Sequence, residues 1–179
     1  PHPHPHPHPH FHPHLLKVAC TSVDLGRLGI VPRTVAIATN IRDGIARSVY
    51  NELFTWIARE ASQFTNVLPQ PGFADYPRAL ACWDASIIPW PLKLTWTAAF
   101  PQAFEHAGVA PLPKGPTHAL WITNPHNPTG QLWSLDSLRA LLPHYGLVVA
   151  DEAFLPLLPG GEAQSLIPLL AEYPNLKTE

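Results

Sequence analysis

The sequence predicts an α/β fold, a mostly parallel sheet covered by helices on both faces, and three observations predict it. A strand, a helix and a second strand follow one another in "HALWIT", "LDSLRALL" and "GLVVA", at the spacing of a βαβ crossover. Both strands are continuous apolar runs, the pattern of strands buried on both sides. Each run then gives way at once to a polar cluster, "NPHNPTG" after the first and "ADEAF" after the second, as expected where strand ends face a crevice.

The elements follow in chain order. Residues 1–14, "PHPHPHPHPHFHPH", alternate proline and histidine with no hydrophobic period and are expected to form a disordered tail. The tail holds His2, His4, His6, His8, His10, His12 and His14, so the histidine total describes the tail more than the folded part. Residues 15–49 stay unassigned, apart from a short strand candidate at Val35–Ala38 and turn signals at Asn40 and Asp43-Gly44. In "YNELFTWIAREAS", Leu53, Phe54, Ile57 and Ala61 fall at helical spacing with charges elsewhere on the circle. A short strand near Val67 and Leu68, a proline turn and a helix from about Ala74 to Cys82 come next. "ASIIPWPL" reads as a strand that Pro89 and Pro91 confine to an edge. Between Pro91 and Pro116 the chain is rich in loops, with "PLKLTW" a strand candidate and a short helix closed by Gly108. Ser134 is the expected N-cap of the crossover helix, with Asp136 in its first turn.

Composition excludes several function classes. A net charge of -2 over 179 residues offers no basic face for nucleic acid or an anionic membrane surface. Cys20 and Cys82 make neither a disulfide framework nor a zinc site, so a reducing, cytoplasmic setting is the default. No window reaches the length of a membrane span, and the start lacks the basic and apolar regions of a signal peptide. The chain begins at Pro1 and contains no methionine, which leads to the expectation that either its start has been removed or it is a piece of something longer.

At the strand ends, Asp151 standing alone would serve as well to cap a following element or to ligate a metal. Paired with "NPHNPTG" across one crevice, it suggests a ligand site. The two motifs, "NPHNPTG" at 124–130 and "VVADEAF" at 148–154, together with the "P-x-F-x-x-Y" pattern of "PGFADY" upstream, resemble the fold-type I enzymes dependent on pyridoxal phosphate (PLP), in the class I/II aminotransferase branch. In wording the chain is nearest the threonine-phosphate decarboxylases of cobalamin biosynthesis and the histidinol-phosphate aminotransferases. "DEAF" in place of "DEAY" leans toward the decarboxylases.

The resemblance implies a partial three-layer α/β/α sandwich, with residues 50–179 a fragment of the PLP-binding large domain. It also implies PLP as cofactor, an amino-acid or amino-acid phosphate substrate, and a homodimeric parent enzyme. Asp151 would pair with the protonated pyridine nitrogen and keep the ring an electron sink. Asn127 would donate its amide to the ring's O3' oxygen, in a turn shaped by Pro128 and Gly130. Phe73 would stack on the ring, a contact worth about 1 kcal/mol beyond its buried area. His126 is expected to be a loop residue rather than a base. Glu152, pointing the other way along the strand, is expected to be structural, and Trp56, Trp121 and Trp133 to pack in the core or its rim.

Three features depart from the family pattern. "GIARSVYNEL" stands where a Gly-rich phosphate turn is expected, Phe154 where many members carry a tyrosine that also reaches O3', and no "S-x-x-K" segment with the Schiff-base lysine follows. Lys177 lacks that serine context, so no catalytic residue is assigned and the chain alone is expected to be inactive. The rival reading is a non-enzymatic, His-rich metal-binding protein whose α/β part is only a scaffold.

Overall fold

The computed structural model describes residues 16–22, 33–39, 55, 57–94, 101–152, 154–166 and 177–178. Among the described residues seven strands form one sheet: β1 (Leu16–Ser22), β2 (Arg33–Thr39), β3 (Thr65–Gln70), β4 (Ser86–Pro91), β5 (Gly115–Thr123), β6 (Tyr145–Asp151) and β7 (Lys177–Thr178). Their order across the sheet is β4-β3-β5-β6-β2-β1-β7. From β4 to β2 every pairing is parallel, while β1 pairs antiparallel with both β2 and β7.

Two helices carry the crossovers. Helix α1 (Asp75–Ala81) connects β3 to β4, and helix α2 (Leu135–Leu141) connects β5 to β6. Side chains alternate across the strands, which sorts the core into two clusters. Leu68, Ala119, Trp121, Leu147 and Val149 meet Tyr76, Ala79 and Leu80 of α1 and the helical residues Ile57, Ala58 and Ala61. Val67, Leu120, Ile122, Val148 and Ala150 meet Leu138 and Leu141 of α2, with Trp90, Phe104 and Trp133. Helices thus cover both faces, as the three-layer expectation requires.

The direction of winding places the crevice. From β3 the chain steps outward to β4 through α1 on one face, and from β5 it steps the opposite way to β6 through α2 on the other face. Right-handed crossovers running in opposite directions must use opposite faces. Between β3 and β5 the winding reverses, and beyond their carboxyl ends lies the gap in which open α/β sheets hold ligands.

Local signals explain most of the elements. Ser134 caps α2 as expected, its hydroxyl accepting from the Ser137 backbone N–H. The strand β4 lies at the edge, paired only with β3 among the described strands, and there Pro89 and Pro91 cost no second ladder. Buried Asn66 in β3 donates to the carbonyls of Ala61, Phe64 and Ser86 and accepts from the Trp121 indole N–H at 2.8 Å, so neither polar group is orphaned.

Some segments differ from the sequence expectation. The region left unassigned contributes β1 and β2, with β2 beside β6 and extending beyond the Val35–Ala38 candidate at both ends. Of "PLKLTW", Pro91 ends β4, Leu92 makes one isolated bridge to Gly108, Lys93 and Leu94 lie in no strand, and 95–100 lie outside the described residues. The helix closed by Gly108 is a single 3-10 turn, Phe104–His106. The tail 1–14, the turn signals at 40–44, Trp56 and most of the helix expected before residue 57 also lie outside the described residues. Among the described residues no helix is long and apolar enough to cross a membrane.

Candidate functional site

Three segments meet at the carboxyl edge. The first follows β3 and runs through Pro71, Gly72 and Phe73 into α1. The second is the loop from Asn124 to Trp133 after β5. The third is the end of β6, where Asp151 stands in register beside Thr123. A small cleft between the first two is lined by Gln70, Gly72, Phe73, Tyr76, Thr123 and His126, among others.

The long loop is shaped by its own polar groups. Buried Asn124 donates its amide to the Trp133 carbonyl and accepts from the Trp133 backbone N–H at 2.9 Å, closing the loop like a ladder pair. The Trp133 indole donates to the Thr123 carbonyl, also at 2.9 Å, and its ring meets Phe104 edge on. Gly130, at φ 76°, adopts the left-handed conformation that favours glycine, and its N–H returns to the His126 carbonyl. Asn127 is half-buried and takes no hydrogen bond within the described residues, leaving its amide uncommitted to the loop.

His126 is a loop residue, as expected, but a buried one that ties two segments together. Its Nε2 lies 2.5 Å from the Pro71 carbonyl, which can only accept, so Nε2 carries the proton. Burial holds the imidazole below its ordinary range against the opposing effect of that contact, which favours the neutral ring. Its Nδ1 is buried without a hydrogen-bond partner among the described residues.

Asp151 is the buried acid of the crevice, 5% exposed. Its Oδ2 accepts from the Tyr76 hydroxyl at 2.7 Å, and the same hydroxyl lies 2.8 Å from Thr123 Oγ1. Phe73, half-buried at the cleft, meets the Tyr76 ring edge on, with centroids 5.3 Å apart. Phe73 and Asp151 therefore reach the same edge of the sheet through Tyr76, whereas Asn127 contacts neither through a hydrogen bond. Tyr76 stands in the "P-x-F-x-x-Y" pattern of the sequence, where nothing local marks it as a site residue beyond its position one helical turn after Phe73.

Glu152 faces away. Its Oε1 accepts from Ser165 Oγ at 2.6 Å and its Oε2 from the Leu166 N–H at 2.8 Å, so it staples the segment after β6, in the structural role expected of it. Burial raises this carboxyl to about 7, with the neighbouring Asp151 adding to the rise and the two hydrogen bonds opposing it. Trp121 and Trp133 are fully buried core residues. Phe154, by contrast, is 43% exposed. Among the described residues no group of three or more His, Cys, Asp or Glu could hold a metal ion.

Residues 51–178 match the family model described as aminotransferase class I and II. The chain belongs to this family. Its members depend on PLP. A histidinol-phosphate aminotransferase from Bacillus velezensis is 42% identical over 65 residues, covering 35% of this chain and 18% of the relative. Histidinol-phosphate aminotransferase 1 from Dechloromonas aromatica is 31% identical over 131 residues, covering 70% of this chain and 34% of the relative. The chain thus spans about a third or less of the curated relatives it matches. The crystal structure of a Burkholderia pseudomallei protein assigned as an aminotransferase shares the fold, with a TM-score of 0.50 at 23% identity over 65% of this chain and 34% of that one.

The chemistry of the crevice fits the ring of the family's cofactor. A buried carboxylate suits a cationic ring N–H, an aromatic side chain at the cleft suits a flat ring, and an uncommitted amide can serve a ring oxygen. The segment expected to hold the phosphate, "GIARSVYNEL", falls largely outside the described residues.

Proposed function

We propose that these residues form the cofactor-holding part of a PLP-dependent aminotransferase acting on a phosphorylated amine or amino acid. The observation that carries the reading is Asp151, buried at the end of a parallel strand, in register with Thr123 just before "NPHNPTG" and bonded to Tyr76 of the cleft. Bound there, PLP supplies a sink for the electrons of the substrate's Cα carbanion.

Asp151 holds the ring nitrogen in its protonated form by accepting its hydrogen bond. A neutral acceptor would stabilise that charge less. Asn127 would hold the ring's O3' oxygen through its amide, and Phe73 would lie against the ring and shield it from water. His126, bonded to Pro71, holds the loop of Asn127 against the segment of Phe73.

Transamination is favoured by the names of the curated relatives, histidinol-phosphate aminotransferases. Decarboxylation of a phosphorylated amino acid is the second reading, favoured by Phe154, which cannot give the ring oxygen the bond a tyrosine gives. None of the lysines in the sequence stands in an S-x-x-K context, so the role assigned to these residues is holding the cofactor rather than turnover by themselves.

The test is a titration of the purified chain with PLP, followed by visible absorbance and induced circular dichroism. Saturable binding that Asp151→Asn weakens is the expected result, and equal binding by both proteins would overturn the reading. Whole enzyme containing these residues, assayed with histidinol phosphate and with threonine phosphate, separates keto-group formation from carbon dioxide release.

A further inference from the structure

Tyr76 is buried, 5% exposed, yet its hydroxyl is committed to the carboxylate at the heart of the site. We propose that Tyr76 is a positioning residue for the cofactor: it sets the orientation of the Asp151 carboxylate, and Thr123 in turn sets Tyr76. The inference rests on the reading of Asp151 as the ring-nitrogen partner.

The direction of the chain follows from its atoms. An ionised carboxylate only accepts, so the single phenolic hydrogen goes to Asp151 Oδ2, at 2.7 Å. The contact between Tyr76 and Thr123 at 2.8 Å must then run from the threonine hydroxyl to the phenolic oxygen. Thr123 O–H donates to Tyr76, and Tyr76 O–H donates to Asp151. Aligned donors of this kind polarise one another and strengthen the last bond.

The phenol is itself held. Its ring leans on Trp121 with centroids 5.0 Å apart, Phe73 meets its edge, and its backbone N–H returns to the Phe73 carbonyl. An aspartate's χ2 is a broad torsion that fixes its oxygens poorly. Tyr76 therefore transfers the rigidity of the core between α1 and the sheet to the plane of the Asp151 carboxylate. The same side chain touches Phe73, so one residue sets both the acceptor for the ring nitrogen and the aromatic group beside the ring.

Tyr76→Phe tests this because it keeps the ring and its packing while removing the hydroxyl. PLP titrations of the full chain, of Tyr76→Phe, of Asp151→Asn and of the double variant form a cycle. The expected result is a loss of affinity in Tyr76→Phe of about tenfold, the scale of one hydrogen bond to a charged group. The absorbance of its bound cofactor should also change at a different pH. In the Asp151→Asn background the same substitution should have no further effect.

If Asp151→Asn weakens binding while Tyr76→Phe matches the unsubstituted chain in affinity and spectrum, the proposal is overturned and the reading of Asp151 stands. An equal loss from Tyr76→Phe in both backgrounds also overturns it, since the role would then be packing alone. If Asp151→Asn changes nothing, or the unsubstituted chain gives no saturable signal, the reading falls and the proposal with it. Thr123→Val, which leaves the phenol in place, should lose affinity in the same direction by a smaller factor. It decides the matter should Tyr76→Phe not fold.

Discussion

Asp151 and Glu152 are adjacent buried carboxylates at the end of one strand, yet their surroundings differ in kind. Asp151 accepts from the hydroxyl of Tyr76, a residue that lines the cleft and whose hydroxyl also meets that of Thr123. Glu152 is bonded to Ser165 and to the backbone N–H of Leu166, away from that cleft. Hydroxyls can rotate to serve a new partner at small cost. A backbone N–H is fixed, and loses its only acceptor if the carboxylate leaves. The difference separates an acid that can serve a ligand from one that fastens the chain.

The largest effect expected from this comparison is on stability and belongs to Glu152. Glu152→Ala leaves the buried Leu166 N–H without its acceptor and takes one partner from Ser165, and a loss of roughly 2–3 kcal/mol in unfolding free energy is expected, measurable by urea titration. Asp151→Asn should stay within about 1–2 kcal/mol, because an amide oxygen can still accept from Tyr76. The reverse order would break the comparison.

Binding inverts the ranking. Asp151→Asn should weaken PLP at least about tenfold, the scale of a charge-assisted hydrogen bond. A conservative Glu152→Gln should leave PLP affinity within about twofold, in the range of substitutions that touch no binding contact. Titrations followed by absorbance compare the two directly, and a larger loss in Glu152→Gln would show that the fastening role has been misassigned.

A third expectation concerns pH. The folded-state Glu152 carboxyl is raised to about 7 from an ordinary 4.5, so the folded chain holds a proton that the unfolded chain has lost between those values. The contribution of this group to stability is complete below about pH 4.5, falls as pH rises and is lost by about pH 7, with a slope of at most about 1.4 kcal/mol per pH unit. In Glu152→Gln the slope from this residue should vanish. Urea midpoints at several pH values measure it, and an unchanged slope would show that the carboxyl titrates elsewhere.

The smallest effect should come from Phe73→Leu. It keeps an apolar side chain but removes the edge contact with Tyr76, worth roughly 0.5–1.5 kcal/mol. A loss of PLP affinity of about two- to tenfold is expected, with little change in the urea midpoint. No loss at all would leave the ring-stacking role without support, and would sharpen the site to Asp151 and its hydroxyl chain.

Much of the architecture was legible in the sequence because it is written in short-range patterns. Apolar runs marked β5 and β6, helical spacing marked α1 and α2, Ser134 announced its cap, and two prolines put β4 at the edge. Strand alternation also told that Asp151 and Glu152 point opposite ways. It could not tell which of them faces the crevice, since that depends on which face each neighbouring crossover covers.

The strands β1 and β2 were less legible. Their residues show no strict alternation, and their places are set by pairing with each other and with β6, far along the chain. Tyr76 was invisible as a site residue for a related reason. Its hydroxyl finds Thr123 47 residues away and Asp151 75 residues away, and no local pattern specifies such a meeting.

By itself, then, the sequence determined the identity of the elements that flank the site, the family motifs at two strand ends and the opposed directions of two acids. Periods, caps and prolines act within a few residues, where the backbone's own geometry decides. Only the tertiary structure decided the order of strands, the reversal of winding between β3 and β5, and the hydroxyl chain that reaches Asp151. These depend on burying both faces of one sheet at once, a condition that no segment of the chain meets alone.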